Sequence, residues 1–239
     1  MQKTPENNNY LTFLRKCLKY GVSLLRHFRL STQHLRKHNV AVDLMRKEDK
    51  KMAQAKTLTE RELRRVLDHI ATRKHAARNR AMLLITCWAG LRVGEVASLR
   101  IADVVAQDGT IKSEIRLLPE QTKGRHARTV FVGERLRGEL AAYCKTIKTK
   151  ETNRPLFMTQ KRTAFSANTL CQHFLSLYDK AGLDGASSHS GRRTFITNLA
   201  NKGIGVRVLM SLAGHRNIST TQAYIDVNDA MKRAAVELV

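Results

Sequence analysis

The sequence predicts a mainly α protein with a small antiparallel β-sheet, that is, an α+β fold. Apolar residues recur at spacings of three and four along most of the chain, which is typical of amphipathic helices. Only a short central region, residues 110–132, combines short β-type runs with glycine turn signals. With 239 residues, the chain can bury one good core and a small second unit.

Residues 1–56 are predicted to form a basic helical arm that ends in a charged linker, ahead of a compact domain at 57–239. The arm carries 13 Lys or Arg residues against four acids, a net charge of +9. Leucines at helical spacing predict one helix from about Tyr10 to Phe28, and Ser31 can cap a second that continues to about Met45. Two helices this short and this charged are not expected to form a full core alone.

The domain at 57–239 is predicted to begin with two helices. Thr59 and Glu62 have the spacing of a capping box, so the first helix should start there. The second helix, from Asn79 to Trp88, is mostly apolar, which predicts burial, and it should stop at Gly90.

Strands and further helices are predicted in the rest of the domain. Three strands are predicted, at 110–115, 116–119 and 128–132. A turn at Asp108-Gly109 precedes the first strand, and a turn around Gly124 precedes the last. Later helices are predicted at about 134–147, 168–181, 191–201, 206–212 and 220–225, with a last one from Asn228.

The strong positive charge of the chain predicts a polyanionic partner. Lys and Arg outnumber Asp and Glu by 43 to 20, a formal net charge of +23, which makes a compact protein repel itself. Aromatic residues are only 5% of the total, which favours phosphate contacts to double-stranded DNA over stacking of single-stranded bases. The sequence has no long apolar run and no signal peptide, so we expect no membrane partner and a cytoplasmic, nucleoid-associated location.

The cysteines indicate neither a metal site nor a disulfide framework. They are scattered, without a C-x-x-C pair or a histidine at ligand spacing. We expect reduced thiols that pack as small apolar groups, with the one in the apolar helix in the core; the four are Cys17, Cys87, Cys144 and Cys171.

A segment near the C-terminus, Leu212–Tyr224, places a histidine and a tyrosine nine residues apart. His215 follows Gly214, where a turn can bring the imidazole close to a ligand. Tyr224 lies in a polar segment rather than an apolar stripe, so a core role is less expected than for most tyrosines. Taken alone, a turn histidine bound to backbone and a half-buried tyrosine would explain the same residues.

Arg92 follows a predicted turn between two helices. The amides at the start of the next helix, together with this guanidinium, would form an anion site. Glu95, three residues on, is predicted to orient Arg92 rather than to act as an acid. An ordinary surface ion pair between the two is the alternative, and it would be favoured if the motif stood alone.

His189 and Arg192 are three residues apart, so they face the same way on the first turn of a helix. Ser187 or Ser188 is predicted to cap this helix and to point its positive end at a phosphate. The alternative is a pair of polar residues at a helix start that serve solubility.

Lys123 lies at a predicted hairpin tip among other basic residues. A flexible tip can carry an ammonium to a leaving oxygen, and neighbouring cations can lower its pKa enough for it to supply a proton. The alternative is a solvated tip or one that only binds backbone phosphate. Its basic neighbours are Arg125, His126 and Arg128.

Together these residues suit attack on a phosphodiester by an oxygen nucleophile. Two arginines can stabilise the charge that develops on the non-bridging oxygens without a metal, while a base and an acid move the protons. The sequence offers no paired carboxylates for two metals and no Walker loop, so neither a metal nor a cofactor is expected.

The four segments resemble, in the same order, the catalytic motifs of the tyrosine recombinases or phage integrases. Ala89–Glu95 resembles the family's first arginine motif, and Thr122–Arg125 its hairpin lysine. His189–Arg192 resembles its His-x-x-Arg box, and Leu212–Tyr224 its nucleophile segment. The match covers roughly residues 57–239.

The resemblance implies a catalytic-domain fold, an activity and a set of site residues. In this family a tyrosine attacks the scissile phosphate, forms a 3′-phosphotyrosine and frees a 5′ hydroxyl that attacks the partner strand. It implies site-specific recombination or integration of double-stranded DNA, often in a mobile genetic element, without ATP or metal. A homotetramer on paired DNA sites is expected, with room for an accessory directionality factor. The residues at the family's catalytic positions are Arg92, Lys123, His189, Arg192, His215 and Tyr224.

The chain departs from the family pattern at three places. Gly191 stands where a leucine is usual, and Arg193 where a histidine or lysine is common. The family's helical core-binding domain is about twice as long as residues 1–56, so we expect this segment to be either a basic arm or part of such a domain.

Two other functions remain open from the residues alone. One is a DNA nicking enzyme that resembles a type IB topoisomerase, which uses a similar pocket but acts as a monomer. The other is a non-catalytic DNA-binding regulator of the same fold. The presence of all six residue types favours an enzyme over the regulator.

Overall fold

The computed structural model describes residues 55–149, 151–225 and 229–237. The predicted arm lies outside the described residues except for 55 and 56. The two arm helices and the boundary near residue 56 therefore stay predictions.

The described part of the chain is mainly helical and contains one two-stranded antiparallel sheet, which confirms the predicted fold class. A short 3-10 helix, Pro119–Gln121, lies between the strands. The elements are α1 (Glu60–Ala71), α2 (Ala76–Ala89), α3 (Val93–Ser98), α4 (Ile101–Val104), β1 (Glu114–Leu117), β2 (Arg128–Phe131), α5 (Glu134–Cys144), α6 (Ala167–Lys180), α7 (Ser190–Asn201), α8 (Val206–Ala213), α9 (Ile218–Gln222) and α10 (Asp229–Val236).

The predicted start of α1 and the predicted end of α2 are both confirmed. The Thr59 hydroxyl accepts from the Glu62 N–H at 3.2 Å, and the Glu62 carboxylate accepts from the Thr59 N–H at 2.9 Å. This reciprocal capping box starts α1. Gly90 ends α2 in the left-handed conformation, with φ of 66°, which glycine adopts without steric cost.

The sheet has two strands, and the prediction of three is wrong. β1 pairs antiparallel with β2, with Ile115 opposite Val130, and it merges parts of the two strands predicted at 110–115 and 116–119. The segment before β1 forms a turn instead of a strand, because the Asp108 carboxylate accepts from the Thr110 N–H at 2.9 Å. Ile111 then makes only an isolated bridge to Val105.

Two helix boundaries also differ from the predictions. α5 ends at Cys144 rather than near residue 147. α9 begins at Ile218 because the Asn217 side chain accepts from the Ser219 N–H at 3.0 Å and caps it. It ends at Gln222, so Tyr224 follows the helix instead of lying in it.

α2 forms the centre of the core. Nearly all of its residues from Arg78 to Ala89 are buried, and it packs against α5 on one side and α7 on another. Cys87 is buried as predicted, and burial raises the pKa of its thiol to about 12. The three cysteines in the described residues are free. No helix in the described ranges is both long and apolar enough to cross a membrane.

The contact between α2 and α7 depends on a glycine. A Cβ atom added to Gly191 would overlap the Thr86 hydroxyl and would lie 3.2 Å from the Cys87 sulfur. Thr86 itself is buried, and its hydroxyl donates to the Leu83 carbonyl at 2.7 Å, so it cannot swing away without losing that bond. The leucine that the family resemblance places at position 191 does not fit this packing.

Gly191→Ala is therefore expected to lower the free energy of unfolding by about 1–3 kcal/mol, the usual cost of overpacking. Chemical denaturation measures this. The double variant with Thr86→Ala should recover part of the loss, since it removes the overlapping hydroxyl. Gly138→Ala in α5 is the matched control, because a Cβ there meets nothing within 4 Å. It should leave stability unchanged or raise it by about 0.5–1 kcal/mol. Equal effects at both glycines would contradict the packing argument.

Candidate active site

Arg92 is placed by the turn that joins α2 to α3. Gly90 starts this turn and packs so closely on the Phe195 ring of α7 that a Cβ would lie 2.8 Å from Cε1. Arg92 then caps α3, and its N–H donates to the Glu95 carboxylate at 2.8 Å. Its guanidinium donates to the same carboxylate at 2.9 Å and to the Gly214 carbonyl at 3.2 Å. The predicted pairing of Arg92 with Glu95 is confirmed.

Glu95 is buried between two arginines, and the second of them was not predicted as a site residue. Its side chain is 1% exposed. Arg128, the first residue of β2, donates to both carboxylate oxygens, at 2.6 and 3.2 Å. In the sequence, nothing in the spacing distinguishes Arg128 from the other basic residues of the hairpin.

Arg192 lies on the first turn of α7 and is buried beneath the turn after α2. Its Nη1 donates to the Gly90 carbonyl at 2.6 Å, and its Nη2 donates to the Ala213 carbonyl and to His215 Nε2, the latter at 2.9 Å. Burial, and next the charge of Arg92, lower the pKa of Arg192 to about 9, although the negative charge of Glu95 opposes this. The guanidinium therefore remains positively charged at neutral pH.

His215 is held as a neutral imidazole. Because a guanidinium only donates, His215 Nε2 must accept the bond from Arg192, and Nδ1 then donates to the Thr221 hydroxyl at 2.9 Å. Burial and the charges of the nearby arginines lower the pKa of His215 to about 4. Thr221 is fully buried near the end of α9, and it was not predicted as part of the site.

Tyr224 follows α9 and packs on His215. The two rings are stacked, with centroids 5.7 Å apart and 23° between their planes. The Arg193 guanidinium lies 5.3 Å from the centre of the Tyr224 ring. The Tyr224 carbonyl accepts from the Thr197 hydroxyl of α7 at 3.3 Å. The ring and backbone of Tyr224 are thus both fixed beside the Arg192–His215 pair.

His189 immediately precedes α7 and faces the same region. Burial lowers its pKa, followed by the charges of Arg192, Lys123 and Arg92, so all three cations lie within electrostatic range of the imidazole. The prediction that Ser187 or Ser188 caps α7 is wrong. The helix begins at Ser190, whose hydroxyl turns back to accept from the Ser187 N–H at 2.9 Å.

Lys123 lies in the exposed loop between β1 and β2. Thr122 fixes the base of this loop, since its hydroxyl accepts from the His126 N–H at 3.1 Å and donates to the His126 carbonyl at 2.9 Å. Within the described part of the chain, the Lys123 ammonium has no hydrogen bond or ion pair. Its positive charge contributes to lowering the pKa of His189.

The structure thus brings four of the six predicted residues together. Arg92, Arg192, His215 and Tyr224 are connected by direct contacts or through the shared turn at Gly214. His189 immediately precedes α7, the helix that carries Arg192, and Lys123 lies in the exposed loop between β1 and β2. The described residues contain no group of three or more His, Cys, Asp or Glu side chains that could hold a metal ion.

The neutral state of His215 predicts a pH dependence of stability. Its pKa is about 4 in the folded protein and about 6.5 in an unfolded chain. Below pH 6.5 the unfolded state therefore binds a proton that the folded state does not, and the free energy of unfolding falls as pH falls towards 4. Between pH 7.5 and 5, His215 alone should contribute about 2 kcal/mol to this loss.

His215→Gln should flatten this dependence, as measured by urea denaturation at both pH values. His126→Gln, on the exposed hairpin, is the control and should keep the parent difference. His173, whose pKa burial also lowers to about 4, contributes a similar loss that remains in the His215 variant. An unchanged pH difference in His215→Gln would contradict a neutral, partly buried imidazole at position 215.

Comparison with known proteins identifies the family. The model of the phage integrase family matches residues 56–231, and the chain belongs to this family, the tyrosine recombinases.

Similar proteins include several recombinases. Tyrosine recombinase XerA of Pyrococcus horikoshii is 29% identical over 244 residues, which cover 98% of this chain and 80% of that protein. Tyrosine recombinase XerD of Xanthomonas axonopodis pv. citri is 35% identical over 158 residues, 62% of this chain and 50% of that protein.

Solved structures agree on the fold. The crystal structure of XerA recombinase has a TM-score of 0.62 and 26% identity, and the match covers 78% of this chain and 64% of that one. A lambda integrase dimer bound to a COC′ core site has a TM-score of 0.56 at 19% identity, covering 73% of this chain and 49% of that one. The described domain therefore has the fold of a tyrosine recombinase catalytic domain.

Proposed function

We propose that this protein is a site-specific recombinase or integrase that cuts and rejoins DNA strands through a 3′-phosphotyrosine. The observation that carries the proposal is the contact chain from Arg192 through His215 to Tyr224, with Arg92 beside it. It stacks the Tyr224 ring on an imidazole that accepts from one guanidinium, while a second guanidinium binds the turn before that imidazole, which suits attack on a phosphodiester.

The two arginines are proposed to hold the scissile phosphate. Arg192 is rigid, because it is bound to two carbonyls and an imidazole, while Arg92 is 26% exposed and can reach a ligand. Fixed donors of this kind stabilise the charge that develops on the non-bridging oxygens.

The two histidines are proposed to differ in role. His215 Nε2 already accepts from Arg192, so His215 orients that guanidinium and supports the Tyr224 ring. His189 has no ring hydrogen bond within the described residues, and partial burial and nearby cations lower its pKa, which favours the neutral form. We propose that it receives the phenol proton.

Bond exchange is balanced without a cofactor. The Tyr224 oxygen forms a bond to phosphorus as the bond to the 5′ oxygen breaks, and Lys123 gives that oxygen a proton. A 5′ hydroxyl of the partner strand reverses the steps and releases the tyrosine. One phosphodiester replaces another, so no ATP is needed.

A nicked suicide duplex tests the proposal. The site is first recovered by selecting bound duplexes from a random pool. The parent protein should then form a covalent adduct with the cleaved strand, visible on a denaturing gel in the presence of EDTA. Absence of any adduct would favour the non-catalytic regulator. Exchange between two such sites supports a recombinase, whereas relaxation of supercoiled DNA alone would favour the topoisomerase-like nicking enzyme.

Lys123→Ala is expected to slow cleavage by about 100-fold or more, since general acids contribute roughly 10²–10⁴. A duplex whose bridging 5′ oxygen is replaced by sulfur should restore the rate, because a thiolate leaves without a proton. Single-turnover cleavage of both duplexes measures this. Lys161→Ala, an exposed lysine elsewhere, is the control. If the sulfur duplex is cleaved by the parent but not by Lys123→Ala, lysine is not the acid.

Double-stranded DNA is the proposed partner, on which a homotetramer would pair two sites, with an accessory factor setting direction. We also propose that the arm, residues 1–56, adds phosphate contacts through its net charge of +9. The protein would then act in the cytoplasm, on the nucleoid or on a mobile genetic element.

A further inference from the structure

Arg128 connects three segments of the candidate site. It begins β2, at the base of the loop that carries Lys123. Its Nε and Nη2 donate to the two Glu95 oxygens, at 3.2 and 2.6 Å, and its Nη1 donates to the Leu212 carbonyl at 3.1 Å. The hairpin, the start of α3 and the end of α8 are thereby joined through one side chain.

The environment of Arg128 differs from that of a phosphate-binding arginine. All three nitrogens of its guanidinium donate within the protein, whereas Arg192, which is also buried, makes no hydrogen bond from its Nε among the described residues. Arg92, which shares Glu95 with Arg128, is 26% exposed. The Arg128 guanidinium is therefore taken up by Glu95, which also binds Arg92, and by the end of α8.

The charges around Glu95 explain why a second arginine is needed. One carboxylate lies between two guanidinium groups, so the three side chains together keep one positive charge. Burial raises the pKa of Glu95, but the hydrogen bond and charge of Arg128, and then those of Arg92, lower it overall. With Glu95 balanced mainly by Arg128, the charge of Arg92 stays available for a phosphate.

The stem of Arg128 also supports the turn that carries His215. Gly214 ends α8 with φ of 60°, and a Cβ there would lie 2.6 Å from Arg128 Cδ. The Gly214 carbonyl accepts from Arg92, and the Leu212 carbonyl accepts from Arg128. The turn is thus packed and hydrogen-bonded against this one side chain.

We propose that Arg128 is a positioning residue for strand cleavage. It fixes and neutralises Glu95 so that Arg92 presents its charge to the scissile phosphate, and it ties the Lys123 hairpin to the turn before His215. This role rests on the proposed function.

The test compares two substrates of the same sequence. One suicide duplex has the ordinary phosphodiester at the cleavage position, and the other has a methylphosphonate there, which carries no negative charge. Arg128→Met should cleave the phosphodiester about 100-fold more slowly than the parent, since a misplaced catalytic group costs on that order. On the methylphosphonate the variant should be only about 10-fold slower than the parent, because an uncharged linkage depends less on the positive charge of Arg92.

Arg80→Met is the matched control. Arg80 forms a comparable two-point pair with Glu139, with its Nε 2.7 Å from the carboxylate, outside the site. It should cleave both duplexes at the parent rate. Arg128→Lys retains the charge but not the fork of donors, so it should also be slow on the phosphodiester. Thermal melting and DNA binding of each variant show that it is folded.

A purely structural role makes a different prediction. Arg128→Met would then lose equal activity on both duplexes, in step with its melting temperature, and this would overturn the proposal. If Arg128→Met does not fold, the same comparison is made with Arg128→Lys, where equal deficits would overturn it as well. If the parent protein cleaves neither duplex, the proposed function fails, and this role fails with it.

Discussion

Tyr224→Phe is expected to abolish the covalent adduct between protein and DNA while leaving DNA affinity unchanged. The substitution removes only the phenolic oxygen. The ring can still stack on His215 and beneath Arg193, and the backbone bond from Thr197 is unaffected. The attacking atom is therefore lost without a change in the surrounding site. A denaturing gel with labelled suicide duplex measures the adduct, and a gel-shift titration measures binding.

Tyr143→Phe is the control for loss of a hydroxyl. The Tyr143 oxygen donates to the Leu156 carbonyl at 2.8 Å in the core, away from the site. Its removal should cost about 1 kcal/mol of stability but leave adduct formation intact. An adduct that persists in Tyr224→Phe would show that another residue is the nucleophile.

Arg192→Ala should have the second largest effect, because it acts on both cleavage and stability. Loss of one donor to a developing oxyanion typically costs about 2.7–4 kcal/mol, or roughly 10²–10³ in rate. Two buried carbonyls, Gly90 and Ala213, also lose their partner, at about 1–3 kcal/mol each. Arg92→Ala should slow cleavage similarly but cost less stability, since its side chain is more exposed.

Single-turnover cleavage and urea denaturation of the two variants separate these effects. Cleavage should be slow in both, with the larger fall in unfolding free energy in Arg192→Ala. Cleavage by Arg192→Ala at the parent rate would show that Arg192 does not hold the scissile phosphate. An unchanged free energy of unfolding in this variant would contradict a stabilising role for the two bonds to the Gly90 and Ala213 carbonyls.

Local chemistry made part of the fold predictable. The capping box at Thr59 and the glycine stop at Gly90 depend on residues within one turn of each other, and both are confirmed. The prediction of a separate strand at 110–115 is wrong for an equally local reason. The Asp108 side chain accepts from the Thr110 N–H, and this turn competes with strand pairing. Strand and helix limits set by such local competition are poorly marked by apolar periodicity.

Contacts between distant residues of the site cannot be predicted from the sequence. The motifs predict Arg192 and His215 as site residues, but the bond between them depends on how α7 packs against the end of α8. Arg128 bonds to Glu95, 33 positions away in sequence, and no spacing encodes that contact. Which of the six residues carry out chemistry stays a prediction until the variants are measured.

The glycine at the α2–α7 contact limits how this chain can be redesigned. Consensus substitution, in which each position takes the commonest residue among relatives, is a standard route to more stable enzymes. At position 191 it would introduce a side chain into space already filled by Thr86. Positions 86 and 191 are therefore coupled, and a screen that changes one of them at a time will discard substitutions that could be accommodated as a pair.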